Sequence, residues 1–201
     1  MGRQTYIAII REVLSVVFAV LLALGINNYW QERSNKVMGE KSLISIASEI
    51  QTNLYELDTS LVELNVELDS LVKSKERIEN EESSRVTLGY SHPILTDNAW
   101  TTSNITQAVL YIEPEVIMDI ADLYTMQEMF EDFGLSYFKL FSSLEFNKKE
   151  NELTVLKSNI RQVQMSMSLG NQLQEAYRDF FEDHREILDS YQFEWEQSMQ
   201  D

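Results

Sequence analysis

Residues 13–26 read VLSVVFAVLLALGI, with Ser15 the only polar side chain in the run. Carried on to Trp30, the segment is about 27 Å long as an α-helix, close to the hydrocarbon thickness of a bilayer. Arg11 and Glu12 then fall near one interface, where an arginine snorkels to water and neighbouring opposite charges pair. Tyr29 and Trp30 fall at the other, as interface anchors at headgroup level. The stretch predicts one transmembrane helix, with residues 1–33 as anchor and residues 34–201 as a separate acidic domain. A cleaved signal peptide is the rival reading. Arg3 and Arg11 would be its basic flank and Ala23-Leu24-Gly25 its small-x-small cleavage site. The run into Asn27-Asn28-Tyr29-Trp30 without a helix breaker favours the anchor.

Within the apolar run, Ser15, Ala19 and Ala23 recur every fourth residue, and Arg11 and Asn27 extend the row at its ends. Small residues at this spacing let two helices approach closely in lipid. Ordinary membrane composition accounts for the row as well as a self-association face does. On the second reading Arg11, Ser15, Ala19, Ala23 and Asn27 form that face, and in a ring of helices Asn27 and Asn28 line a polar opening. Arg3 and Arg11 precede the span, whereas Arg33, Lys36 and Lys41 follow it. The positive-inside rule thus leans by one charge towards a cytoplasmic C-terminal domain.

Beyond Trp30 a heptad begins. Leu43, Ile50, Leu57, Leu64, Leu71 and Ile78 form one row; Ala47, Leu54, Leu61 and Leu68 form the other, which Lys75 ends. No Pro or Gly interrupts Lys41 to Thr87. Sustained seven-residue spacing of this kind predicts a long helix with a coiled-coil-like seam. Ile44, Tyr55, Val62, Val66 and Val72 widen the apolar surface, which admits a bundle within one chain or between chains.

Helix is expected to fray in residues 79–84 (ENEESS), with a loop to about Thr96, since Pro93 disfavours helix at His92. Thr96 or Asp97 can cap a short helix containing Trp100. Another starts near Glu113, with Pro114 and Glu115 in its first turn. Its apolar face holds Val116, Ile117, Ile120, Leu123, Tyr124, Met129, Phe130 and Phe133, and Gly134 marks a kink or an end. Asn147-Lys148-Lys149 reads as a turn. From Leu153, positions 156, 160, 163, 167, 170, 174, 177, 181, 184, 188, 191 and 195 step by three and four, predicting a helix to about Ser198. Gly170 is its weak point, at about 1 kcal/mol relative to Ala. The fold class expected is all-α: a transmembrane helix continuing into a long seam helix, packed in an elongated antiparallel helical bundle.

Composition narrows the chemistry. With 201 residues there is room for one domain, and six Gly and two Pro leave little punctuation for a sheet protein. The formal charge is −17, made up of +1 in residues 1–33 and −18 beyond them. Such a surface repels a phosphate backbone, so general nucleic-acid binding is not expected. The absence of cysteine removes thiolate catalysis, disulfides and Cys-ligated metals. Neither His92 nor His184 completes a Glu-x-x-His pair, and Glu182-Asp183-His184-Arg185-Glu186 reads as a charged helix face, because successive residues point about 100° apart. Tyr124, Tyr137, Phe138 and Phe141 read as core at helical spacing. No phosphate loop, nucleophile elbow or HExxH motif occurs. No cofactor and no catalytic residue is expected.

Two stretches carry a resemblance. One is Arg11-Glu12 before an apolar run that ends Ile26-Asn27-Asn28-Tyr29-Trp30-Gln31-Glu32-Arg33; the other is Ala99-Trp100 followed by Ile120-Ala121-Asp122-Leu123-Tyr124 and Gln127. Together they resemble a widespread family of small bacterial membrane-anchored proteins, domains of unknown function with an INNW-x-E-R membrane exit. The resemblance covers roughly residues 11–130. Members often carry Thr-Gly after the Trp helix, where this chain has Ser103-Asn104-Ile105. It implies a bacterial inner-membrane setting and an architecture, and no activity.

The expected role is therefore a non-enzymatic, self-associating membrane protein whose helical domain senses or docks a protein or small ligand. The alternative is a homo-oligomeric ion channel or membrane-disrupting effector of the bacterial immune type, gated by that domain.

Overall fold

The computed structural model describes residues 3–80, 92–143 and 152–193, and every regular element among them is helical. Helix α1, Arg3–Glu79, has 77 residues and is about 115 Å long. It contains no proline, and its glycines are Gly25 and Gly39. Gly25 has open space where a side chain would be, whereas Gly39 lets the Tyr111 carbonyl lie against the helix. The boundary expected at residues 33/34 thus falls inside one uninterrupted helix.

The segment after Pro93 descends along α1 towards its apolar half. Thr96 meets Asn53, Ala99 meets Glu49, Ser103 meets Ser42, and Tyr111 reaches Gly39. Helix α2, Asn98–Ile105, and a 3-10 turn, Ala108–Tyr111, make up this segment. Gln107 joins them at φ 60°, a left-handed conformation that ends α2. Helix α3, Pro114–Ser143, then climbs beside α1, with Tyr124 level with Glu49 and Gln127 level with Asn53. Helix α4, Glu152–Asp183, descends again. Lys157 pairs with Glu79 at 3.2 Å, Gly170 abuts Leu61, and Arg178 lies 3.6 Å from Asp58.

The heptad seam is consumed inside the chain. Leu43, Ala47, Ile50, Leu54, Leu57, Leu61, Leu64 and Leu71 are buried, while Leu68 and Ile78 are partly buried against the same core. Tyr55, Val62 and Val66 do not widen that surface: they lie exposed, about half a helical turn away from it. Met129 and Phe138 are exposed as well, so α3 buries a narrower face than its composition suggests.

Three further expectations change. Gly134 does not end α3, which runs on to Ser143; a Cβ there would overlap the His92 ring, so the glycine makes room for His92. Leu156, Val163, Gly170, Tyr177, Phe181 and Leu188 are buried as read, and Ile160 and Met167 pack partly buried on the core, but Asn159, Ser166, Leu173 and Phe180, each one residue earlier than the second row expected, are buried too. The Oδ1 of Asn159 accepts a bond from the Tyr137 hydroxyl at 3.1 Å, while its Nδ2 is buried without a hydrogen-bond partner. Finally, α4 stops at Asp183 and a short helix α5, Arg185–Ser190, replaces the expected run to Ser198. After it Gln192 turns at φ 59°, bringing Phe193 parallel to Phe181 at 6.1 Å, which a continued helix would carry away. The turn read at 147–149 and the side chain of Phe141 lie outside the described residues.

Candidate functional site

Two places gather the residues singled out by sequence. The first is the N-terminal half of α1. A window of this helix starting at Leu14 is long and apolar enough to cross a membrane, and no part of it is buried within the chain. Arg11, Ser15, Ala19, Ala23, Asn27, Asn28, Tyr29 and Trp30 are all exposed. At 3.6 residues per turn each four-residue step drifts by about 40°, so Ser15, Ala19 and Ala23 share one side of the helix, Arg11 and Asn27 lie towards its two edges, and Asn28 points about 100° from Asn27.

The second is a polar junction where α1, the 92–97 segment, α2, α3 and α4 meet. Glu49 reaches from α1 to the start of α2, where its carboxylate accepts the backbone N–H of Ala99 at 2.9 Å and of Trp100 at 3.4 Å. Asp97, in the capping position, makes no side-chain cap bond, so the negative charge that a helix N-terminus favours comes from another helix. The Tyr124 hydroxyl donates to the same carboxylate at 2.6 Å, and its ring lies parallel to Trp100 at 5.7 Å.

One turn further along, Asn53 donates to the Thr96 carbonyl at 2.7 Å and accepts the Thr96 N–H at 2.9 Å, holding an extended strand-like residue as a neighbouring strand would. Gln127 completes the group. Its Oε1 accepts from Asn53 at 3.2 Å and from the Tyr177 hydroxyl at 2.7 Å, while its Nε2 donates to the Thr96 carbonyl at 3.2 Å.

This network lies in low dielectric. Burial, then the bond to Glu49 and that residue's charge, raise the Tyr124 phenol far above its ordinary range. Burial raises Tyr177 similarly, with Asn53 opposing. Burial also raises the Glu131 carboxyl, with Asp97, Asp132 and Glu128 adding repulsion and a backbone bond from Leu95 opposing. Both phenols therefore stay protonated as donors. The arrangement fastens the 92–97 segment and helices α1 to α4 together, and its Tyr and Gln side chains are bonded to protein partners. Among the described residues no group of three or more histidine and carboxylate side chains is placed to hold a metal ion. His184 leaves the charged-face pattern read for residues 182–186 and bonds Asp119 at 2.8 Å, tying the end of α4 to α3.

Gln127 entered the sequence reading through the resemblance alone, whereas Trp100 and Tyr124 were also placed on helices by spacing, and the fold brings the three to one place. Glu49 and Asn53 went unremarked among many acidic and polar residues. A signal for Asn53 exists: it lies seven residues after Ile46, in a buried row flanking the seam. Glu49 has none, because its partner is the backbone of a helix fifty residues away. No family model, curated protein or solved structure matches this chain.

Proposed function

We propose that this chain is a single-pass membrane protein that self-associates and uses its helical domain, without catalysis, to sense or dock a partner. The observation that carries the reading is the bare apolar half of α1. Residues 14–26, exposed throughout and with Ser15 as their one polar side chain, project from a domain whose own seam leucines already pack inside the chain. Lipid is the medium that removes such a surface from water, with Tyr29 and Trp30 at its boundary and the bacterial inner membrane as its setting. The row through Ala19, Ala23 and Asn27 supplies a face on which copies meet. The domain beyond is read as an elongated antiparallel bundle, and its acidity favours a protein or small-ligand partner over nucleic acid.

A second reading has its own support. Because α1 is unbroken from the apolar half into the domain core, a movement of the domain is carried rigidly to the segment bearing Asn27. That suits a gated oligomeric channel.

Mass in detergent micelles, followed by ion flux in proteoliposomes, separates the readings. A dimer without flux supports docking. A tetramer or larger assembly that conducts, and loses conductance in Asn27→Leu, supports the channel. A strict monomer overturns self-association and the channel together.

A further inference from the structure

Among the described residues, every element that packs on α1 lies on one side of it. The opposite side, through Ser48, Thr52, Tyr55, Thr59, Val62 and Val66, is exposed throughout, with Tyr55, Val62 and Val66 at 51, 67 and 65%. We infer that this bare back of α1 is the contact surface for a second copy of the chain, the two α1 helices lying parallel and in register. The inference rests on the membrane reading above, since two copies inserted the same way can only align α1 in parallel.

Three observations point to a second copy. The first is phase: steps of three and four along one unbroken helix lead from Ala19, Ala23 and Asn27 through Trp30, Ser34, Val37 and Lys41 to Ser48. One side of α1 thus runs bare from the apolar half to Val66.

The second is area. From Ala19 to Val66 the side is about 70 Å long and one helix, about 10 Å, wide, so roughly 700 Å² per copy is available, against the ~800 Å² per partner of a stable interface. The part within the domain alone offers under half of that, so the two halves of the surface act together.

The third is polarity. The six positions within the domain carry no charge in a chain of net −17, and Lys41 is the one charged residue along the traced strip. The hydroxyls of Thr52 and Thr59 already donate to the carbonyls of Ser48 and Tyr55, at 2.9 and 3.0 Å, so their burial orphans no donor. Glu56 and Glu63 border the strip on one edge, which makes the contact stronger at high salt, where their mutual repulsion is screened.

Because the chain has no cysteine, single-cysteine variants report cleanly. Ala19→Cys, Thr59→Cys and Val66→Cys of the full chain in proteoliposomes, oxidised with copper–phenanthroline, are expected to form disulfide-linked dimers. Met118→Cys on α3 and Met165→Cys on α4, equally exposed, are expected not to. Adding Val62→Glu to Thr59→Cys should abolish its dimer. Cross-linking at Ala19 without Thr59 and Val66 overturns this inference and leaves membrane self-association standing. No cross-linking at any position overturns both. Equal cross-linking at Met118 and Met165 means random collision and overturns the inference as well.

Discussion

One helix, α1, contains two regions that differ in almost everything except their backbone. Leu57 in its second half is fully buried, whereas Leu21 in its first half is 62% exposed. In the second half apolar residues recur by sevens with polar residues between them, so one side is covered and the other solvated. In the first half they occupy every side, and from Leu14 to Trp30 every residue is exposed. The seam half has its apolar side covered within the chain; the apolar half, among the described residues, has none of its surface covered.

The sharpest way to break this comparison is to truncate equivalent leucines. Leu57→Ala is expected to destabilise the domain by about 2–5 kcal/mol, through lost burial and an unfilled cavity. Leu21→Ala should leave its unfolding unchanged. Urea titration in detergent, followed by tryptophan fluorescence, measures both.

The polar junction comes next. Gln127→Ala leaves Asn53, Tyr177 and the Thr96 carbonyl each short of a partner, at an expected cost of about 1–3 kcal/mol. The same titration measures it, and a cost near zero would mean that water replaces the amide.

Gly134→Ala sets two effects against each other. Helix propensity favours alanine by about 1 kcal/mol, but the added methyl would overlap the His92 ring, which stacks on Phe130 at 4.6 Å. Overpacking of this kind costs about 1–3 kcal/mol, so a net loss of roughly 1 kcal/mol is expected in the melting curve. Stabilisation would show that His92 can leave its place freely.

The smallest effect concerns pH. Glu131 has its folded pKa raised above the ordinary 4.5. Between 4.5 and that raised value the folded chain holds more protons than the unfolded one, so this residue's contribution falls as pH rises through the window. Glu131→Gln should therefore melt slightly higher than the parent at pH 7 and indistinguishably below pH 4.5. A variant that melts lower at pH 7 would contradict the assignment.

The parts legible in sequence were those written in apolar spacing. The α1 seam was readable residue by residue because leucine at seven-residue intervals has one physical solution. Along α4 apolar counting finds Phe181 but passes over Asn159 and Ser166, which are more deeply buried than Ile160 and Met167. A cross-helix hydrogen bond, invisible in one dimension, engages the Asn159 oxygen there. The ends of α4 and α5 carry no glycine or proline, and the fold-back that lays Phe193 on Phe181 after α5 has no local signal. The junction was legible only in fragments, since Glu49 acts on a backbone fifty residues distant. The bare back of α1 was masked by Tyr55, Val62 and Val66, whose apolar character suggested core.

The central claim, that the apolar half of α1 lies in lipid, is tested most directly by labelling with a membrane-impermeant maleimide in intact membranes. Phe18→Cys and Leu21→Cys are the informative variants, because both lie off the Ala19–Ala23 side and self-association alone would not shield them. The account predicts that both resist labelling until detergent is added, while Ser45→Cys reacts in permeabilised, membrane-intact preparations. Labelling of Phe18→Cys and Leu21→Cys as complete as that of Ser45→Cys, without detergent, would contradict it.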